Sequence, residues 1–358
     1  MTSPEWTSGA WPVRGLGPRE GLPPGLFWPA RRGDPDGPTE WQTRSGAFRS
    51  TGGGRWVPAD VGLSVEQRII EAAARLPAWG AVTGWAALRL RGAHWFDGTG
   101  RRKEPLPIPI ALGTSHSLRA GAGIALSREI VPLEAMSRAR GVRVTSPLWS
   151  VAHEMRKADD DEAAVVAFEL AAFHDLVSVA ELAAYTETAL GTRQGVGRIR
   201  ELLPHLEENS WSPAEPVMRL TWCGVGFGRP LANRPVFDLA GHFVGTPDLI
   251  DPVAGVYGMY DGALHLAGEV RQQDVAKDAA YRRLGLEGVT MMAGDQRQRD
   301  PFAVRLAEAY ARAGRRAADQ RRWSVEPPPW WTPTFTVSQR RALTPYDRQR
   351  LLWNRRAA

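Results

Sequence analysis

The chain has one cysteine, Cys223, and only three lysines, Lys103, Lys157 and Lys277. A single thiol excludes an internal disulfide and a thiolate metal cluster. No run of about 18 apolar residues occurs, so no membrane-spanning helix is expected. The opening residues, MTSPEWTSGAWPVRG, lack the basic start, apolar core and small-residue cleavage site of a secretory leader. These absences point to a cytoplasmic protein. No glycine-rich loop followed by Lys-Ser or Lys-Thr is present, which leaves a nucleotide cofactor such as ATP unsupported. No G-x-S-x-G nucleophile turn is present either.

At 358 residues and 43% hydrophobic content, the chain suits two or three packed domains. The formal net charge is +6, and nearly all the positive charge is arginine. A basic balance fits a polyanionic partner. A chain rich in Ala, Arg, Gly and Pro and poor in Lys is also what a GC-rich genome imposes, so basicity alone assigns no partner. Fifteen tryptophans are abundant and read first as core anchors.

Composition and periodicity divide the chain. Residues 1–62 are rich in Gly, Pro and Trp without sustained periodicity and read as a partly ordered arm, with short extended pieces near 46–49 and 55–58. Residues 63–145 read as a small α+β domain. SVEQRIIEAAARL, capped by Ser64, and TGWAALRLRG, capped by Thr83 and stopped by Gly92, are its helices; PLPIPIAL, GIALSREIV and GVRVTS are its strands. Two helices joined by a short turn fit a helix-turn-helix or an ordinary helical hairpin. Residues 146–210 read as a helical layer without chemistry, its histidines lacking ligand spacing. Residues 301–358 read as a helix and an Arg/Trp-rich tail whose final arginines either meet phosphate or are solvated.

Residues 211–300 hold three acids in an order that metal chemistry uses. A helix beginning SPAEPVMRL carries Glu215. RPVFD reads as a first strand, FVGTPDLI with Asp248 as a second and GVYGMYDG with Asp261 as a third, followed by the helix EVRQQDVAKDAAYRRLG and the strand GVTMM. Phosphodiester hydrolysis with Mg²⁺ needs carboxylates converging from rigid elements, with an activated water in reach. Each acid also has an ordinary role: Asp248 in an Asx-turn, Asp261 in an Asp-Gly turn, Glu215 in a capping box with Ser212. Lys277, Arg282 and Arg283 lie on the helix after the third strand, either as a solvated face or as contacts to a DNA backbone.

The order helix, three strands, helix, strand, with PD at 247–248 and YDG-x-x-H at 260–265, resembles the PD-(D/E)XK nuclease fold. The nearest resemblance is to actinobacterial AbiEi-antitoxin-like or endonuclease-domain proteins, whose C-terminal part is similar to very-short-patch-repair endonucleases. It extends over nearly the whole chain, with GAVTGWAALRL and VRVTSPLWSVAHEMR as its diffuse upstream pieces. The resemblance implies an α+β protein whose C-terminal domain is restriction-endonuclease-like (αβββαβ). It implies a Mg²⁺ site with Asp248 as the metal-binding acid and Glu215 as the helix carboxylate that joins it. Asp261 would take the last place of the E-x-K or E-x-D pair, and His265 would contact water or phosphate. Its partner would be DNA, or for an antitoxin also a toxin protein.

One residue departs from the pattern. Relatives read E-Y-D-G where this chain reads Met259-Tyr260-Asp261-Gly262, and a neutral thioether cannot replace a glutamate on Mg²⁺. Either catalysis is weakened or lost, or a carboxylate has migrated, with Glu269 or Asp251 reaching the metal, or a natural glutamate has been substituted. The first is the reading favoured by the residues. A DNA-binding endonuclease homologue is therefore expected, with a non-enzymatic AbiEi-type antitoxin or transcriptional regulator as the alternative.

Overall fold

The computed structural model describes residues 22–34, 37–114, 121, 123–262, 268–317, 320–353 and 355, with the backbone alone for 268–275. The chain divides into two compact units, Met1–Ser150 and Val151–Ala358. Helices stand beside mixed and antiparallel sheets, an α+β architecture.

The first unit opens with β1 (Ala30–Arg31), α1 (Glu40–Arg44), β2 (Phe48–Gly52) and β3 (Arg55–Pro58). The strands form a small antiparallel sheet in the order β1-β3-β2. Two of these strands, β2 and β3, lie where short extended pieces were expected, near 46–49 and at 55–58. The β2–β3 turn uses Gly52, Gly53 and Gly54, all at positive φ, which glycine adopts without steric cost.

Then come α2 (Val65–Ala73), β4 (Ala81–Val82), α3 (Gly84–Leu90), β5 (Ile108–Ala111), β6 (Ile124–Ser127), β7 (Met136–Ala139) and β8 (Val142–Thr145). Ser64 caps α2 by accepting from the Gln67 N–H. Thr83 stands at the N-cap of α3 without a capping side-chain bond. Its hydroxyl instead accepts from Thr145 Oγ1, which is also bonded to Ser150 Oγ, in a buried chain. The five strands form one mixed sheet, β6-β5-β4-β8-β7, under which Ile69, Ile70, Leu88, Ile110 and Val144 are fully buried.

Helix α4 (Pro147–Lys157) crosses the unit boundary. The second unit continues with α5 (Asp161–Phe173), α6 (Val179–Thr188), α7 (Val196–Leu202) and α8 (Ala214–Gly224). Local sequence accounts for their starts. Asp160 caps α5, and Ser178 with Glu181 forms a capping box on α6. Helix α5 is tied to α8 by an ion pair between Glu169 and Arg219, both essentially without solvent access. Glu169 also accepts from Ser210 Oγ and the Glu207 N–H. Burial raises the Glu169 pKa, and the Arg219 charge opposes that rise.

Next come β9 (Leu231–Ala232), β10 (Val236–Asp238), β11 (Phe243–Gly245), β12 (Leu249–Asp251), β13 (Val256–Asp261), α9 (Gly268–Arg283), β14 (Glu287–Met292), α10 (Asp300–Ala313), β15 (Trp323–Ser324), α11 (Val337–Arg341) and α12 (Pro345–Leu351). The main sheet runs β14-β13-β12-β9, antiparallel except for the parallel pair β13–β14. A second sheet runs β11-β10-β15.

Two strand expectations are corrected. FVGTPDLI is not one strand: it is interrupted at Thr246-Pro247-Asp248, with β11 in one sheet and β12 in the other. Pro247 has no N–H to donate to a ladder. RPVFD lies in the second sheet, and the strand beside β12 is the two-residue β9.

Alternation along β13 decides what each face of the main sheet meets. Val256 belongs to the cluster with Met218 and Trp222 of α8 and Phe302 and Leu306 of α10. Gly258 lies where an added Cβ would be 2.9 Å from the Trp222 ring, so the close approach of α8 requires glycine. Tyr257 and Met259 join the other cluster, with Ile250, Tyr281 of α9 and Trp323.

The tail arginines are mostly used internally. Arg340 is fully buried and donates to Asp175 Oδ1 at 2.6 Å and to the Ala172 and Glu208 carbonyls. Arg341 pairs with Glu181, and Arg348 with Asp175. Among the described residues no helix is long and apolar enough to cross a membrane.

Candidate carboxylate site

The first turn of α8 carries Glu215, which is 4% exposed. Its Oε2 accepts from the Trp211 N–H at 2.7 Å and from Asn233 Nδ2 at 2.5 Å. Asn233 adopts positive φ just after β9, a conformation asparagine tolerates better than most side chains. From there its backbone N–H donates to the Asp248 carbonyl at 2.9 Å. Asn209 locks the same corner by donating to the Ala232 and Asn233 carbonyls.

Asp248 is half-buried at the entry to β12, and its Oδ2 accepts from the Tyr260 N–H at 2.6 Å. Glu215 and Asp248 are near enough for their charges to interact. Burial first, and the Asp248 charge second, push the Glu215 carboxyl well above the usual range, although three hydrogen bonds oppose the shift.

Met259 follows Gly258, whose partner Leu249 opens β12 and forms the last registered pair of the ladder, so Met259 lies beside the bend that holds Asp248. Its side chain packs on the apolar cluster of Ile250, Tyr257 and Tyr281. Asp261 ends β13, two residues and about 7 Å further along the same face.

Asp251 does not join these acids. It lies three residues beyond Asp248, about 10 Å along the strand and on the opposite face. Its carboxylate is committed to the Val253 and Ala254 N–H groups and to the Tyr310 hydroxyl. That excludes it as a migrated ligand. His265 lies outside the described residues, and so does the side chain of Glu269.

Two residues that sequence reasoning did not single out stand at the site. Tyr281 is buried, its hydroxyl without a hydrogen-bond partner among the described residues, and burial together with the Asp248 charge raises its pKa. Arg355 is 5% exposed, with its guanidinium 4.7 Å from the Phe173 ring centroid and 5.9 Å from that of Trp211. Among the described residues its Nε and Nη2 have no hydrogen-bond partner. Burial lowers its pKa to about 9, Arg340 contributing in the same direction, while the Glu215 charge acts against the shift. No local signal marks either residue; both arrive through long-range packing.

The expected DNA-contacting cations are exposed on α9 but do not share one face. At about 100° per residue, Lys277 and Arg282 are about 140° apart, with Arg283 on the other side. Arg282 is engaged with Asp278 at 2.7 Å.

Among the described residues the donor set falls short of a Mg²⁺ site. Mg²⁺ demands hard oxygens in near-octahedral array. Here one buried carboxyl is driven toward its neutral form, one carboxylate oxygen is held by backbone, and a thioether lies beside it. Among the described residues no group of three or more His, Cys, Asp or Glu side chains is gathered to hold a metal. Comparison with family models, curated proteins and solved structures finds no significant match.

Proposed function

We propose that the second unit is a PD-(D/E)XK-type domain that binds DNA and whose phosphodiesterase chemistry is weakened or lost. The observation that carries this reading is the element order around the acids. Helix α8 with Glu215 leads into β9, β12 and β13; after α9 the chain returns as β14, parallel to β13, giving the sheet β14-β13-β12-β9. This αβββαβ order supports the restriction-endonuclease-like reading, with the β10–β11 excursion inserted between β9 and β12. The meeting of Glu215 with Asp248 adds to it.

In such a site Asp248 and Glu215 would hold Mg²⁺, which supplies an activated water, and Asp261 would orient that water. Met259 removes the glutamate that completes the set, so the domain is read as a DNA-binding relic. The test is duplex binding over a salt series, with plasmid nicking followed in Mg²⁺ and Mn²⁺. Binding whose log affinity falls linearly with log salt, without cleavage, is expected. Absence of binding at about 50 mM salt, where counterion release favours association, overturns the reading.

Met259 also favours a second reading, a non-enzymatic regulator of the antitoxin type with a toxin protein as partner. It requires no metal, and its own result is a stable stoichiometric complex with that partner.

A further inference from the structure

We propose that the second unit binds a small organic monoacid, an apolar body carrying one carboxylate, in the cleft between the C-terminal end of α10, the β12–β13 turn and β15. The cleft has a volume of about 370 Å³, at the lower end of the sizes small-ligand sites take. It opens at the end of β12 away from Asp248, so the inference does not rest on the reading of the carboxylate site.

Much of the wall is apolar. Val253 and Ala254 of the turn line it, with Tyr310 and Ala313 of α10. The Tyr310 hydroxyl donates to Asp251 Oδ2 at 2.6 Å, and its ring stacks on Phe227 with centroids 3.7 Å apart, which ties this wall to the end of β12. Gly285, at positive φ, lets the chain before β14 meet the chain before β15. A Cβ there would stand 3.0 Å from the Gln320 carbonyl oxygen.

The polar end is supplied by arginine. Arg316 is already used: it pairs with Glu287, which also takes Arg312 at 3.0 Å. Arg321 differs. Its guanidinium lies over the Trp323 ring, 4.1 Å from the centroid, and makes no ion pair or hydrogen bond among the described residues. Stacking on the indole engages the flat face of the guanidinium and leaves the N–H donors at its edge for a ligand. No carboxylate is among the described residues that line the cleft.

These features select the ligand class. One unpaired guanidinium matches one carboxylate, in planar, bidentate fashion. A doubly charged phosphate would find one free cation, and the end of α10 is the negative end of its dipole, which opposes further negative charge. A wholly apolar ligand would cover Arg321 without pairing it, and burying an unpaired charge is costly. An acid without an apolar body would leave the walls in water.

The test is calorimetry on the full chain with phenylacetate and hexanoate as acids, phenylethanol as the neutral match and acetate as the charge without a body. At least one of the two larger acids is expected to bind, with phenylethanol and acetate about tenfold weaker or more, the factor carried by a charge-assisted hydrogen bond. The tighter of the two acids identifies an aryl or an alkyl body. Arg321→Leu replaces an exposed side chain, so it should leave the melting temperature nearly unchanged while weakening the acid about tenfold. Val253 is 91% exposed at the rim, so Val253→Asp adds a repelling charge without disturbing the core. It should weaken the acid severalfold, whereas Val253→Asn should not. The proposal is overturned if neither larger acid binds at millimolar concentration, or if phenylethanol binds as well as they do. It is also overturned if Arg321→Leu and Val253→Asp both bind the acid as the unaltered chain does.

Discussion

The carboxylate of Asp248 is fastened to the strand that carries Met259, its Oδ2 accepting the Tyr260 N–H at 2.6 Å. One oxygen therefore serves the backbone of β13. That bond holds the acid at the residue next to the thioether. Among the described residues no third acid is gathered with Asp248 and Glu215 to complete a metal-binding group.

Met259→Glu should supply that acid. Without metal the new carboxylate enters the cluster of Ile250, Tyr257 and Tyr281 beside Asp248, and a loss of about 1–3 kcal/mol in unfolding free energy is expected. With Mn²⁺ at about 100 times its dissociation constant, roughly 2.7 kcal/mol should return, because a ligand that binds only the folded state stabilises it by mass action. Calorimetric titration and melting curves of both proteins read this directly. If neither protein binds Mn²⁺, the remaining acids do not form a metal site even when the glutamate is restored.

The start of α2 was legible in the sequence because it is local: Ser64 caps the helix it precedes, within three residues of the N–H it accepts, whereas Thr83 stands at the N-cap of α3 without a capping bond. The acids were legible as an ordered set, yet their geometry was not. The nearness of Glu215 and Asp248 depends on Asn233 turning the chain at positive φ, and the two-residue β9 has no periodicity to detect. The apparently continuous strand through Asp248 concealed a break at Pro247, where one run feeds two sheets. The tail arginines resembled a solvated or phosphate-seeking run, but the partner of Arg340 lies 165 residues upstream. Periodicity cannot report a contact at that separation.

Glu215 should make stability fall with rising pH. Its folded pKa is raised, so the folded protein holds a proton that the unfolded chain releases near the ordinary carboxylate value of 4.5. Its contribution is fully present below that value and is lost as pH climbs through the higher folded pKa. Glu215→Gln keeps an acceptor for Trp211 and Asn233 but cannot ionise. Urea unfolding from acid to mildly alkaline pH should show a smaller decline for the variant. Parallel pH profiles for the two proteins would mean that Glu215 ionises normally.

Arg340 should be among the most costly single side chains to remove in the second unit. It is fully buried, and Asp175 holds both Arg340 and Arg348. Deleting one member of a buried pair costs about 3–5 kcal/mol when the partner is left uncompensated, and because Arg348 stays on Asp175 the lower end of that range is expected. Arg340→Ala also strips donors from the carbonyls of Ala172, Glu208 and Thr334. At roughly 2–4 °C per kcal/mol for a unit of this size, the melting temperature should fall by about 10 °C. Arg350→Ala provides the contrast: its partner Asp347 is on the same short helix and the pair is solvated, so a change within about 0.5 kcal/mol is expected. A loss at Arg340 no larger than that at Arg350 would show that the tail does not dock through this buried arginine.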